Sequence, residues 1–122
     1  MKIKLLGITL TAFLAGCSLT PPSFYDDNES MLAVEVRYEI DRLDCNNIDP
    51  YAIARIDWQV HKFMLYSESK GSTDVTEMLV ELKKTSGGLA QKENVSTTYC
   101  NLKKKSLAAQ SASIAEAVMW RY

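Results

Sequence analysis

From Glu29 onward, apolar side chains recur at intervals of three and four residues, and no strand-like alternation of useful length occurs. That period is helical. Leu32, Val36, Ile40 and Leu43 form one stripe and predict a helix over about 29–44. Glu35, Arg37, Glu39, Asp41 and Arg42 lie mostly off it. Glu35 and Glu39 are like charges one turn apart, whereas Glu39 can reach Arg42. Asn46-Asn47 then breaks the pattern.

The second helix is delimited most clearly. Asp49 suits an N-cap and Pro50 the first helical position, while Gly71 is a natural residue just past the end. Ile53, Ile56, Val60 and Phe63/Met64 make one stripe; Ala54, Trp58, His61 and Leu65 make a second. Two apolar faces predict packing by more than one neighbour. A short third helix follows, capped by Ser72, Thr73 or Asp74, with Asp74 and Glu77 spaced as a capping box. Its stripe is Val75, Met78, Leu79 and Leu82, with Lys83-Lys84 near its end. Gly87-Gly88 is expected to stop it, leaving 89–95 as a loop. The last helix starts near Ser96 or Thr97 and runs almost to Tyr122, with Cys100, Leu107, Ile114 and Val118 as its stripe. The Ala- and Ser-rich stretch between Leu107 and Val118 allows close approach of a neighbour. Short connections make consecutive helices antiparallel neighbours. The predicted class is all-α, a small up-and-down four-helix bundle. A three-helix variant, with the third helix merged or splayed, is the rival.

The first eighteen residues follow different rules. Met1-Lys2-Ile3-Lys4 is basic, and the run Leu5 to Leu14 is mostly apolar. That run is too short to cross a hydrocarbon core of about 30 Å but suits a secretory signal. Leu14-Ala15-Gly16-Cys17 directly after it resembles the lipobox of bacterial lipoproteins. The resemblance implies that Cys17 receives a diacylglycerol, that the Gly16–Cys17 bond is cut, and that the new amine is acylated. Acyl chains contribute about 0.8 kcal/mol per buried methylene, so three of them anchor effectively permanently. Ser18, rather than Asp, after the Cys implies the outer membrane facing the periplasm, with the cell surface or inner membrane as alternatives. The implied organisation is a signal peptide over 1–16, an acylated Cys and flexible tether over 17–28, and a bundle over 29–122. Pro21-Pro22 and Asp26-Asp27-Asn28 fit a tether. Phe24 and Tyr25 are placed either against the domain or at the lipid interface.

Removing residues 1–16 from 122 leaves 106, enough for one small core. Lys2 and Lys4 leave with the signal, so 12 basic side chains face 15 acidic ones, a net charge of −3. That balance is not a nucleic-acid binder's. With Cys17 lipidated, Cys45 and Cys100 remain, an even number in an oxidising compartment. A disulfide between them is expected, against the alternative of two free buried thiols. In an up-down-up-down chain the end of the first helix and the start of the fourth share a pole, which independently brings these cysteines together. A metal site would need more ligands than His61, the lone histidine.

No catalytic constellation is legible, and no cofactor is expected beyond the covalent lipid on Cys17. A hydrolase triad needs a nucleophile, a base and an orienting group. His61 reads as a packing histidine between Trp58 and Leu65. Asp41 with Asp44, and Asp26 with Asp27, read as solvated charge. Gly87-Gly88 lacks the Lys-Ser/Thr of a phosphate loop, and Asn94-Val95-Ser96 matches a glycosylation acceptor only formally. Lys103-Lys104-Lys105 reads as a solvated helix face, with lipid head groups or an acidic partner as the alternative, since near a helix N-terminus the dipole disfavours cations. Trp58, Tyr66, Tyr99, Trp120 and Tyr122 are the candidate partner-binding residues, since Trp and Tyr dominate contact energy at interfaces. The alternative puts Trp58 in the core and leaves Trp120 to cap the bundle.

The expectation is a non-enzymatic envelope lipoprotein, held by membrane lipid and acting on another envelope protein as an assembly or accessory factor. An exclusion or inhibitor lipoprotein of phage or plasmid type is one alternative. A small envelope enzyme or cell-wall-binding module is another.

Overall fold

The computed structural model describes residues 24–121; Cys17 and Tyr122 lie outside them. Four helices follow in chain order: α1 (Asp27–Arg42), α2 (Pro50–Lys70), α3 (Thr73–Gln91) and α4 (Thr97–Met119). Each packs on its neighbour in sequence, α4 also packs on α1, and the backbones of the diagonal pairs stay apart. The bundle is therefore a closed up-down-up-down ring around one core.

Caps fix where the helices begin. The Asp26 carboxylate accepts from the backbone N–H groups of Asn28 (2.8 Å) and Glu29 (3.4 Å), so α1 starts at Asp27, two residues before the sequence pattern suggests. Asp49 accepts from the N–H of Tyr51 at 2.9 Å, with Pro50 beginning α2. The Ser96 hydroxyl accepts from the N–H of Tyr99 at 3.1 Å. Gly71 has φ of 81°, the left-handed conformation that a side chain disfavours, and it turns the chain into α3 within two residues.

The stripes meet inside the ring. Leu32, Val36, Ile40, Leu43, Ile53, Ile56, Val60 and Phe63 from the first half of the chain join Val75, Leu79, Leu82, Leu89, Leu107, Ile114 and Val118 from the second in one cluster. All are buried, and each contributes roughly 1.5–3 kcal/mol by leaving water. Ser111 and Ala115 are buried on α4, where small side chains let the neighbouring helices approach.

Two expectations are corrected. Helix α3 does not stop at Gly87-Gly88 but continues to Gln91, so 89–91 is helix rather than loop. Val75, Leu79, Leu82, Ser86 and Leu89 keep the core spacing through the glycines. Leu89 is fully buried, and the Ser86 hydroxyl donates to Asp57 Oδ1 at 2.8 Å. Two helical glycines cost about 1 kcal/mol each, which burial of a leucine largely offsets. Second, α2 packs on two neighbours as expected, but not through its Ala54–Trp58–His61–Leu65 stripe, of which only Ala54 is half-buried. Both α1 and α3 use the other face, and Trp58, His61 and Leu65 stand in solvent.

Candidate interaction surfaces and the two poles

Cys45 and Cys100 are joined by a disulfide, with Cα atoms 5.6 Å apart. The bond ties the end of α1 to the first turn of α4 and defines one pole. Lys104 completes this pole by donating from Nζ to the carbonyls of Asp41 (3.2 Å) and Leu43 (2.6 Å). A cation at the unpaired carbonyls of a helix end is favourable, so the use of Lys104 is to cap α1.

The opposite pole gathers the start of α1, the end of α2, the start of α3 and the end of α4. At its centre is the Glu29 carboxylate, with 0% of the side chain exposed. It pairs with the Arg121 guanidinium, itself 6% exposed, and with Lys70 Nζ at 3.1 Å. The Ser67 hydroxyl donates to it at 3.4 Å. Arg121 also donates to Ser72 Oγ at 3.1 Å and to Asp74 Oδ1 at 2.6 Å. The Ser72 hydroxyl is thus engaged by Arg121, and the expected Asp74 capping box is replaced by an ion pair. Each charge lies at the helix end of complementary sign: carboxylates where α1 and α3 begin, cations where α2 and α4 finish.

The same pole shifts three proton affinities. The hydrogen bond from the Tyr66 hydroxyl, at 2.5 Å, holds the Asp26 carboxyl below the usual carboxylate value. That bond equally raises the Tyr66 phenol above its ordinary value. Burial pushes the Asp74 carboxyl upward, but the hydrogen bond from Arg121 and further favourable contacts outweigh it and the net shift is down.

The four aromatic candidates among the described residues do not form one surface. Tyr66 is half-buried and spent on Asp26. Tyr99 is half-buried at the disulfide pole, with Lys92 and Lys103 ammonium groups 4.9 and 5.6 Å from its ring centroid. Trp120 projects at the Glu29 pole, exposed rather than capping the core, and Tyr122 is outside the described residues. Trp58 is 63% exposed, midway along α2 and on the side away from the core. Tyr51 and Leu65, one heptad to either side, are exposed with it. Together they make an apolar row on a face that no helix of the bundle covers.

A shallow groove of about 360 Å³ runs between α1 and α4, lined by Val34, Tyr38, Ala108 and Ser111, with Arg37, Asp41 and Lys104 beside them. His61 stands on the surface of α2 rather than in the packed position expected of it. Among the described residues no three His, Cys, Asp or Glu side chains gather as a metal site, and no helix is long and apolar enough to cross a membrane.

Sequence reasoning missed Tyr51 and the Glu29–Arg121 pair. The pair did leave a signal. Glu29 falls three residues before Leu32, in register with the α1 stripe, and Arg121 falls three after Val118, in register with the α4 stripe. Charges of opposite sign in core register on two neighbouring helices are a buried pair in outline. No protein family, curated protein or solved structure matches this chain.

Proposed function

We propose that the chain is a membrane-anchored envelope lipoprotein that acts without catalysis, by binding another envelope protein through the outer face of α2. The observation that carries the reading is the Tyr51–Trp58–Leu65 row. Large apolar side chains aligned on a solvent face are the anchors of a helix-recognition surface. The rigid, disulfide-closed core behind them presents that row in a fixed shape, which limits the ordering cost of association. The anchor rests on the lipobox resemblance at Leu14-Ala15-Gly16-Cys17, and Ser18 supports the outer membrane as its destination.

Site-specific photocrosslinking in intact cells tests the reading. A photoreactive residue replaces Lys62, beside the row, or Leu102, exposed on α4. One envelope protein captured from position 62, absent from position 102 and lost on Trp58→Ala, is the expected result. Equal capture from both positions, or capture insensitive to Trp58→Ala, would overturn the α2 face as the binding surface. Cys17→Ser should release the protein from washed membranes; retention would refute the lipid anchor.

A further inference from the structure

Both ends of the described chain emerge at the Glu29 pole, and each carries exposed aromatic side chains. Phe24 and Tyr25 directly precede the α1 cap, and Phe24 is 60% exposed. Trp120, 76% exposed, directly follows α4, beside the exposed Met119. The two ends are bound to one another's surroundings: Lys70 Nζ donates to the Phe24 carbonyl at 2.5 Å and pairs with Glu29, which also holds Arg121. The segments that carry Phe24, Tyr25 and Trp120 are therefore tied to one pole by a common ion network.

We propose that this pole rests on the bilayer that holds the acyl anchor, with Phe24, Tyr25 and Trp120 seated in the headgroup layer of a zwitterionic, ethanolamine-rich membrane. The inference rests on the lipoprotein reading above. Phe24 lies seven residues beyond Cys17, a reach of at most about 25 Å at full extension. The pole is thus kept within reach of the interface at high local concentration, so a modest affinity suffices. Trp and Tyr favour that layer because each joins an apolar ring to a polar atom. Charge selects the lipid. Lys70 and Arg121 are already bound to carboxylates, whereas Asp27, Glu68, Glu77 and Glu116 are exposed around the pole. Such a rim is repelled by anionic lipid and complements the ammonium of an ethanolamine headgroup. In this orientation α2 rises from the membrane, and its Trp58 row faces sideways into the periplasm.

The two tryptophans of the chain make a built-in test. Acylated protein is reconstituted into phosphatidylethanolamine–phosphatidylcholine vesicles with brominated acyl chains. Trp58→Phe leaves Trp120 as the reporter, and Trp120→Phe leaves Trp58. The Trp120 emission should shift to the blue and fall by roughly twofold or more, as for an interfacial indole. Trp58 emission should be unchanged, and replacing a third of the lipid with phosphatidylglycerol should weaken the Trp120 quenching. Mass spectrometry and flotation of the same samples separate the two readings. Acylated, floating protein whose Trp120 is quenched no more than Trp58 overturns the pole contact and leaves the anchor standing. Quenching that grows with phosphatidylglycerol overturns the zwitterionic assignment. An unmodified Cys17 in protein that does not float overturns the anchor and the pole contact together.

Discussion

Arg121→Ala is the most informative perturbation of the fold, because it removes one cation from a buried three-charge cluster 92 residues away in sequence from its carboxylate. Stranding a wholly uncompensated buried charge costs about 3–5 kcal/mol. Glu29 would not be wholly stranded: Lys70 remains at 3.1 Å and Ser67 at 3.4 Å. The Asp74 arm adds little, since that carboxylate is 57% exposed and such pairs contribute about 0–1 kcal/mol. The expected loss is therefore about 2–3 kcal/mol, a large share of the stability of a domain this size. Urea unfolding of the oxidised mature domain, followed by circular dichroism, reads it as a midpoint lowered by about 1–2 M. Lys84→Ala, which breaks an exposed Glu81 pair, is the control and should cost under about 0.5 kcal/mol. Glu29→Gln combined with Arg121→Met should recover part of the loss, because the wholly buried carboxylate is then gone and Lys70 keeps Asp26 at 3.8 Å. If Arg121→Ala costs no more than Lys84→Ala, the cluster is screened by water and the buried-pair reasoning is wrong.

Further outcomes follow from the same geometry. Reducing the Cys45–Cys100 bond, or replacing both cysteines by Ser, should cost about 4 kcal/mol for a crosslink spanning 55 residues in the loop-entropy view; an unchanged melting temperature on reduction would refute it. Asp26 and Asp74 have carboxyls lowered from 3.8 in the folded state, so their stabilisation is complete above about that pH and is lost as pH falls through the lowered values. Tyr66→Phe should therefore flatten the acid limb of a stability-versus-pH curve, and an unchanged limb would count against the Asp26 bond. Gly88→Ala should raise stability by about 0.5–1 kcal/mol, since a Cβ there meets nothing within 4 Å; a loss would mean that α3 does not continue through the glycines in solution.

Much of this molecule was written in local sequence. Asp49-Pro50 and Gly71 bound α2 because a cap, a fixed φ and a left-handed turn are decided within a few residues. The inner stripes of all four helices were legible because burial repeats at the helical period. The cysteine pairing followed from parity and antiparallel topology. Tertiary structure decided what sequence left degenerate. Helix α2 carries two apolar faces, and periodicity cannot say which one its neighbours cover; ring closure by α1 and α3 buried Ile53, Ile56, Val60 and Phe63 and left Trp58 outside. Gly87-Gly88 reads as a stop by propensity, yet the burial of Leu89, available only once α3 packs, carries the helix onward. Glu29 and Arg121 each look like surface charge until the closing of α4 on α1 removes water from both. Local preferences are worth a fraction of a kilocalorie to about one each; burial against a distant part of the chain is worth more, so where the two disagreed, packing prevailed.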